Sequence, residues 1–125
     1  MEKGGAGRKV WVFPDGEIPL PGSKEPYGHE SLIIVNTGKA RAEIDVMVYF
    51  DDKEPSRGIK VSVEGEKVRC FRLDKGIGDE KKVMIPVQKQ YALKLESTVP
   101  VVAQIGRLDI TQPNMAYYTV MGYAQ

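Results

Sequence analysis

Arg107 and Asp109 stand two positions apart in the stretch 97–112, STVPVVAQIGRLDITQ, most of which is apolar. Its opening run of Val99, Val101, Val102, Ala103 and Ile105 leaves no polar face for water. A short β-branched run interrupted by Pro and followed by Gly reads as a central strand rather than a helix. Alternation puts residues i and i+2 on one face of a strand, so Arg107 and Asp109 point the same way. A guanidinium and a carboxylate beside a core need partners, because an unpaired buried charge is costly. Two arrangements satisfy them. In one, they pair with each other or with neighbours and fix strand register or a subunit interface. In the other, they line a polar cavity, where the planar fork of Arg and the acceptor pair of Asp suit a polyol or a carboxylate.

The remaining candidates are scattered. His29 and Glu30 are adjacent and could form an acid/base pair, but neighbours on an extended chain point to opposite faces. No nucleophile motif and no phosphate-cradling glycine loop accompanies them, so the reading is non-enzymatic. Trp11, between Val10 and Val12, is either a stacking platform for a ring-shaped ligand or part of the core. Asp51, Asp52 and Glu54 put three carboxylates in four residues, yet Lys53 sits among them and the glycine and downstream ligands of a calcium loop are missing. That leaves a solvated loop, with Glu54 able to turn inward toward Arg107 or Arg72. Arg69 and Arg72 are three apart and fall on opposite faces, which weakens any phosphate-binding stripe. Tyr117, Tyr118 and Tyr123 suit an interface, where aromatics with a polar tip are enriched.

Length and charge bound the alternatives. A chain of 125 residues is one domain, here 1–125 with 1–8 as a flexible tail, and can bury a real core without staples. Lys plus Arg number 18 against 17 Asp plus Glu, a net charge of +1 that supplies no field to recruit nucleic acid, so DNA is an unfavoured partner. The single cysteine, Cys70, cannot close an internal disulfide and fits a reducing cytoplasm. No His/Cys cluster exists to hold a metal, and no cofactor is expected. No stretch approaches the ~20 apolar residues of a membrane span, so the chain is not expected to be membrane-inserted.

The elements that must position these residues are strands. Residues 9–13 (KVWVF) read as the first. Residues 14–28 follow with four prolines and three glycines, which excludes regular structure; a loop this long is more often functional than idle. Residues 31–35 form a second strand, ended by the turn residues Asn36 to Lys39. Ala42, Ile44, Val46, Val48 and Phe50 alternate with Glu43, Asp45, Met47 and Tyr49, the pattern of a strand with one face on the core. Residues 58–63, 67–73, 82–87, 91–96 and 116–123 complete the set, with Pro86 marking an edge. No window shows a capped helical period. The fold class is all-β, about eight antiparallel strands in a sandwich or barrel.

One combination of these residues is specific. Trp11, His29-Glu30, Asn36, Tyr49-Phe50 with Asp52-Lys53-Glu54-Pro55, Arg69 and Arg72 precede Val99-Pro100-Val101-Val102, Gln104, Arg107-Leu108-Asp109, Gln112 and Asn114. With the closing Gly122-Tyr123-Ala124, this pattern resembles the family of the Anabaena sensory rhodopsin transducer over nearly the whole chain. The resemblance implies a compact antiparallel β-sandwich assembling as a homotetramer. It also implies a cytoplasmic signal-transducing module that receives its signal from a membrane receptor, engaging the receptor's cytoplasmic segment. It further carries a sugar or related small metabolite as an alternative ligand, and DNA as a third. The pocket such a ligand would need is assembled from Trp11, His29, Glu30, Asn36, Glu54, Arg107 and Asp109.

Overall fold

In the computed structural model, which describes residues 4–125, the chain is all-β and antiparallel, with eight strands and no α-helix among the described residues. The strands are β1 (Arg8–Gly16), β2 (His29–Asn36), β3 (Ala42–Phe50), β4 (Ser56–Val63), β5 (Lys67–Arg72), β6 (Tyr91–Asp109), β7 (Ala116–Met121) and β8 (Tyr123–Ala124). The tail expected over 1–8 lies partly outside the described residues, and Arg8 already belongs to β1.

β6 organises the rest. A short strand was expected over 91–96 and a separate central strand in the stretch 97–112; instead, one strand of 19 residues runs through both. Its first half pairs with β1 and β3, and its second half with β2 and β7. The order β4-β3-β6-β1-β8 therefore forms one leaf and β5-β2-β6-β7 the other. The switch lies where Arg8 opposes Val101 while Val10 opposes Glu96, a register shift that leaves several β6 residues without a partner on β1. Pro100 sits in this gap. A residue with no N–H is tolerated where the ladder is already interrupted, so Pro100 marks a bend inside one strand.

Alternation decides what faces inward. Leu32 and Ile34 of β2, Ile44, Val46 and Val48 of β3, Ile59, Val61 and Val63 of β4, and Leu93, Leu95, Val101, Ala103 and Ile105 of β6 meet in one core. Residues 82–87, expected as an edge strand, make only a single bridge, between Ile77 and Val83. Pro86 lacks a donor and Gln88 turns to positive φ (56°), which together end pairing there; Ile85 is nevertheless buried in the core. Asn36, at the end of β2, is fully buried and structural. Its Nδ2 donates to the carbonyls of Ala40 (2.8 Å) and Val63 (3.1 Å), and its Oδ1 accepts from Gly38 N–H, pinning the turn into β3.

Leu93 lies between Phe13 of β1 and Val48 of β3 and has no exposed surface. Leu93→Ala is expected to cost about 2–5 kcal/mol, the range for a buried Leu truncated where neighbours cannot collapse. Chemical denaturation with an unchanged m value checks it.

Candidate functional site

The site forms where the end of β1 meets the inner faces of β2, β6 and β7. β2 alternates, so Glu30 turns inward and His29 outward. Glu30 is 1% exposed, and burying a carboxylate is tolerable only with several donors. It has three. Tyr91 Oη donates to Oε1 at 2.5 Å, Glu17 N–H donates to the same oxygen at 3.0 Å, and Arg107 Nε donates to Oε2 at 2.6 Å.

Local sequence explains each donor. Arg107 pairs with Glu30 across the β2–β6 ladder, so both side chains share the inner face. Tyr91 begins β6 opposite Gly16, where an added Cβ would come within 2.3 Å of the tyrosine ring. Only glycine lets the ring lie over the backbone. A register shift between Phe13 and Gly16 bulges Pro14 and Asp15 and carries the chain round to present Glu17 N–H.

The electrostatics follow from burial. Burial pushes the Tyr91 phenol well above its ordinary value, and the charge and hydrogen bond of Glu30 act in the same sense. Burial alone would lower the Arg107 pKa, but the hydrogen bond and charge of Glu30 outweigh it and hold the guanidinium above its usual value. Arg107 also lies 5.5 Å from the ring centre of Tyr118, within cation–π range. Beside it opens a cavity of about 180 Å³ lined by Phe13, Asp15, Glu30, Arg107, Tyr118 and Val120 among others. Asp15 adds a second carboxylate, whose Oδ1 accepts from Gln90 Nε2 at 3.0 Å.

Of the seven residues named from sequence, the structure brings together Glu30 and Arg107. Trp11 is in the core, 5% exposed, its indole N–H shared between the carbonyls of Val101 (3.0 Å) and Arg8 (3.1 Å). Asn36 pins its turn. His29 faces the other side of the sheet, its Nδ1 2.8 Å from the Tyr27 carbonyl, in an open groove with Glu25, Pro26 and Arg72. Arg72 is itself held by Asp74 through two 2.8 Å contacts. Glu54 is exposed on the β3–β4 loop and does not reach Arg107 or Arg72. Asp109 turns back on its own chain, accepting from Thr111 N–H (2.9 Å) and Oγ1 (2.6 Å), and these two bonds hold its carboxyl below the usual range. Arg107 makes its ion pair with Glu30 and not with Asp109, and it also borders the cavity. Tyr91 and Asp15 were not among the candidates; the glycine opposite Tyr91 and the Pro-Asp-Gly break ending β1 are the signals that point to them. Among the described residues, no three His, Cys, Asp or Glu side chains gather to hold a metal.

Two outcomes test this centre. Arg107→Ala leaves Glu30 charged and buried with its cation gone, so a loss of about 3–5 kcal/mol is expected in denaturant titration. The raised phenol of Tyr91 contributes stability that is fully present below the unfolded pKa of about 10 and is lost as pH rises beyond it, because only the unfolded chain gives up the proton. Relative to Tyr91→Phe, the native chain should lose about 1.4 kcal/mol per pH unit above that point. Parallel stability curves for the two proteins would remove Tyr91 from the account.

Comparison with known proteins agrees with the residue pattern. Searching curated proteins gives no match. Among solved structures, the crystal structure of Thermotoga maritima 1070 superposes with a TM-score of 0.84 at 37% identity, covering 95% of this chain and 96% of that one. The Anabaena sensory rhodopsin transducer superposes with a TM-score of 0.68 at 30% identity, covering 79% of this chain and 93% of that one. The family described as Anabaena sensory rhodopsin transducer matches residues 6–124. Fold, residue pattern and comparison coincide over almost the whole length: the chain belongs to the Anabaena sensory rhodopsin transducer family.

Proposed function

We propose that the chain is a non-enzymatic, cytoplasmic binding module that assembles as a homotetramer and signals by engaging the cytoplasmic segment of a membrane receptor. The observation that carries this reading is the C-terminal strip. From Ile110 to Gln125 there is no Asp, Glu, Lys, Arg or His, and its large apolar side chains stand in water. Met115 is 59% exposed, Tyr117 65%, Met121 57% and Tyr123 67%. Tyrosine and methionine are enriched in protein interfaces and charge is depleted at their centres, and an uncharged segment exposing this many large apolar side chains suits the docking of a partner. Among the described residues, no helix is long and apolar enough to cross a membrane.

A small polar metabolite is the second reading, favoured by the Arg107 cavity and its Asp15 carboxylate. At about 180 Å³ the cavity falls below the ~300–1,000 Å³ of ordinary ligand pockets, and Arg107 is already neutralised by Glu30. A protein partner therefore fits better.

Calorimetric titration with detergent-solubilised Anabaena sensory rhodopsin tests the leading reading. Saturable binding is expected, weakened about tenfold by Tyr117→Ser or Tyr123→Ser, the loss of ~1.4 kcal/mol typical of an interface anchor. Absence of heat, or binding indifferent to both substitutions, turns the reading down.

A further inference from the structure

The outer face of the second leaf carries an open groove of about 480 Å³ at His29, bounded by Glu25, Pro26, Tyr27 and Arg72. That volume lies within the ~300–1,000 Å³ of ordinary binding pockets. Its wall is held in place. Gly28 N–H donates to the Pro21 carbonyl at 3.0 Å, and a Cβ added at Gly28 would meet the carbonyls of Leu20 at 2.6 Å and Leu108 at 3.3 Å. One added at Gly22 would come within 2.5 Å of the Ile110 side chain. The loop is thus packed onto the end of β6, and the groove is formed before any ligand arrives.

Its chemistry suits a cation. A carbonyl only accepts, so the 2.8 Å contact between His29 Nδ1 and the Tyr27 carbonyl puts the hydrogen on Nδ1. Nε2 of the neutral ring is left as an acceptor. Arg72 brings no free charge, since its Nε and Nη2 donate to the two oxygens of Asp74. Among the described residues, Glu25 makes no ion pair, and Lys24 beside it does not line the groove. The one uncancelled charge is therefore the Glu25 carboxylate. Tyr27, 44% exposed, adds a ring face. A carboxylate, a neutral acceptor and an aromatic face together match a guanidinium or an ammonium.

Position says whose cation it is. His29 lies opposite Leu108, and Leu108 opposite Tyr117, in one cross-strand row on the outer face. Tyr117 belongs to the uncharged C-terminal strip. Its hydroxyl leans over Gly106, where an added Cβ would meet it at 3.1 Å, and Gly106 is opposite Ser31 of β2. A floor of small residues thus leads from the strip toward the groove. Two strand spacings separate Tyr117 from His29, about 10 Å, which about three extended residues span. Cytoplasmic segments next to membrane spans are rich in Lys and Arg. We propose that the groove receives a basic side chain of the receptor's cytoplasmic segment, about three residues from the apolar one that seats on Tyr117. Arginine suits it better than lysine, because its fork can donate to both Glu25 and His29 Nε2 while its plane lies on Tyr27. This rests on the receptor-binding reading and adds the site that reads the segment's charge.

Heteronuclear NMR of the full chain tests the groove by itself. N-acetylarginine amide should shift the signals of Tyr27 and His29 saturably, and N-acetylcitrulline amide, its uncharged isostere, should not. Glu25→Gln and Tyr27→Leu, both at exposed positions, should each weaken the arginine probe about fivefold, the effect of one exposed charge contact or cation–π face. In calorimetry the same substitutions should weaken detergent-solubilised Anabaena sensory rhodopsin by a similar factor. Equal shifts from the two amides, or none from either, overturn the groove as a cation site and leave the receptor reading to its own titration. Arginine binding with receptor affinity indifferent to both substitutions overturns the groove as a receptor contact alone. Arginine binding with no receptor heat overturns the receptor reading and, with it, the proposed source of the cation.

Discussion

Everything in this molecule depends on one strand serving two leaves. A sheet of eight twisted strands cannot lie flat and bury both faces, so it must close on itself or fold. Here β6 does the folding, and the bend near Pro100 brings two inner faces together over a single core. That arrangement fixes what can approach what. The first half of β6 delivers Tyr91, the second half Arg107, and the fold lets residues sixteen apart on one strand converge on the same buried carboxylate.

That carboxylate is the second constraint. Glu30 would carry a desolvation cost of several kcal/mol if left alone, and its three donors come from the turn after β1, the start of β6 and the end of β6. The centre therefore ties both leaves and the turn after β1 into one polar knot. A paired buried ion of this kind adds little net stability over an apolar replacement, but losing one partner is costly, so the three donors must stay together. The knot also shapes the adjoining cavity, since the guanidinium that neutralises Glu30 is the one lying against Tyr118. Receptor engagement, as proposed, would act along this same strand, β7, which is held by a single neighbour.

Much of the fold was legible because period-two alternation is a direct record of burial. β3 was recovered to the residue, and His29 and Glu30 take opposite faces as adjacent strand residues must. What the pattern did not carry was continuity and partnership. Pro100 reads as a break in any local window, and only the two-leaf context makes it a bend. Residues 82–87 have strand composition, yet Pro86 and the turn at Gln88 stop the pairing after one bridge, between Ile77 and Val83. Arg107 announced that it needed an acid, but the candidates nearby in sequence were wrong for a reason of geometry. Asp109 satisfies itself locally through Thr111, whereas Glu30 arrives through a ladder contact 77 residues away. Trp11, Asn36 and Glu54 shared a motif without sharing a place. A family pattern can mark residues that hold turns and cores as firmly as those that bind.

The one tryptophan occupies a telling position. Trp11 is opposite Ala124 of the last strand, stacks at 6.2 Å on Phe13 of the cavity wall, and donates its indole hydrogen to Val101 at the bend. Its emission is thus set by a dry, hydrogen-bonded niche that touches both the junction and the C-terminal strip. Nature has placed a built-in optical probe at the crossing point, so occupancy events along the strip can be followed by native fluorescence colour and lifetime without attaching a dye.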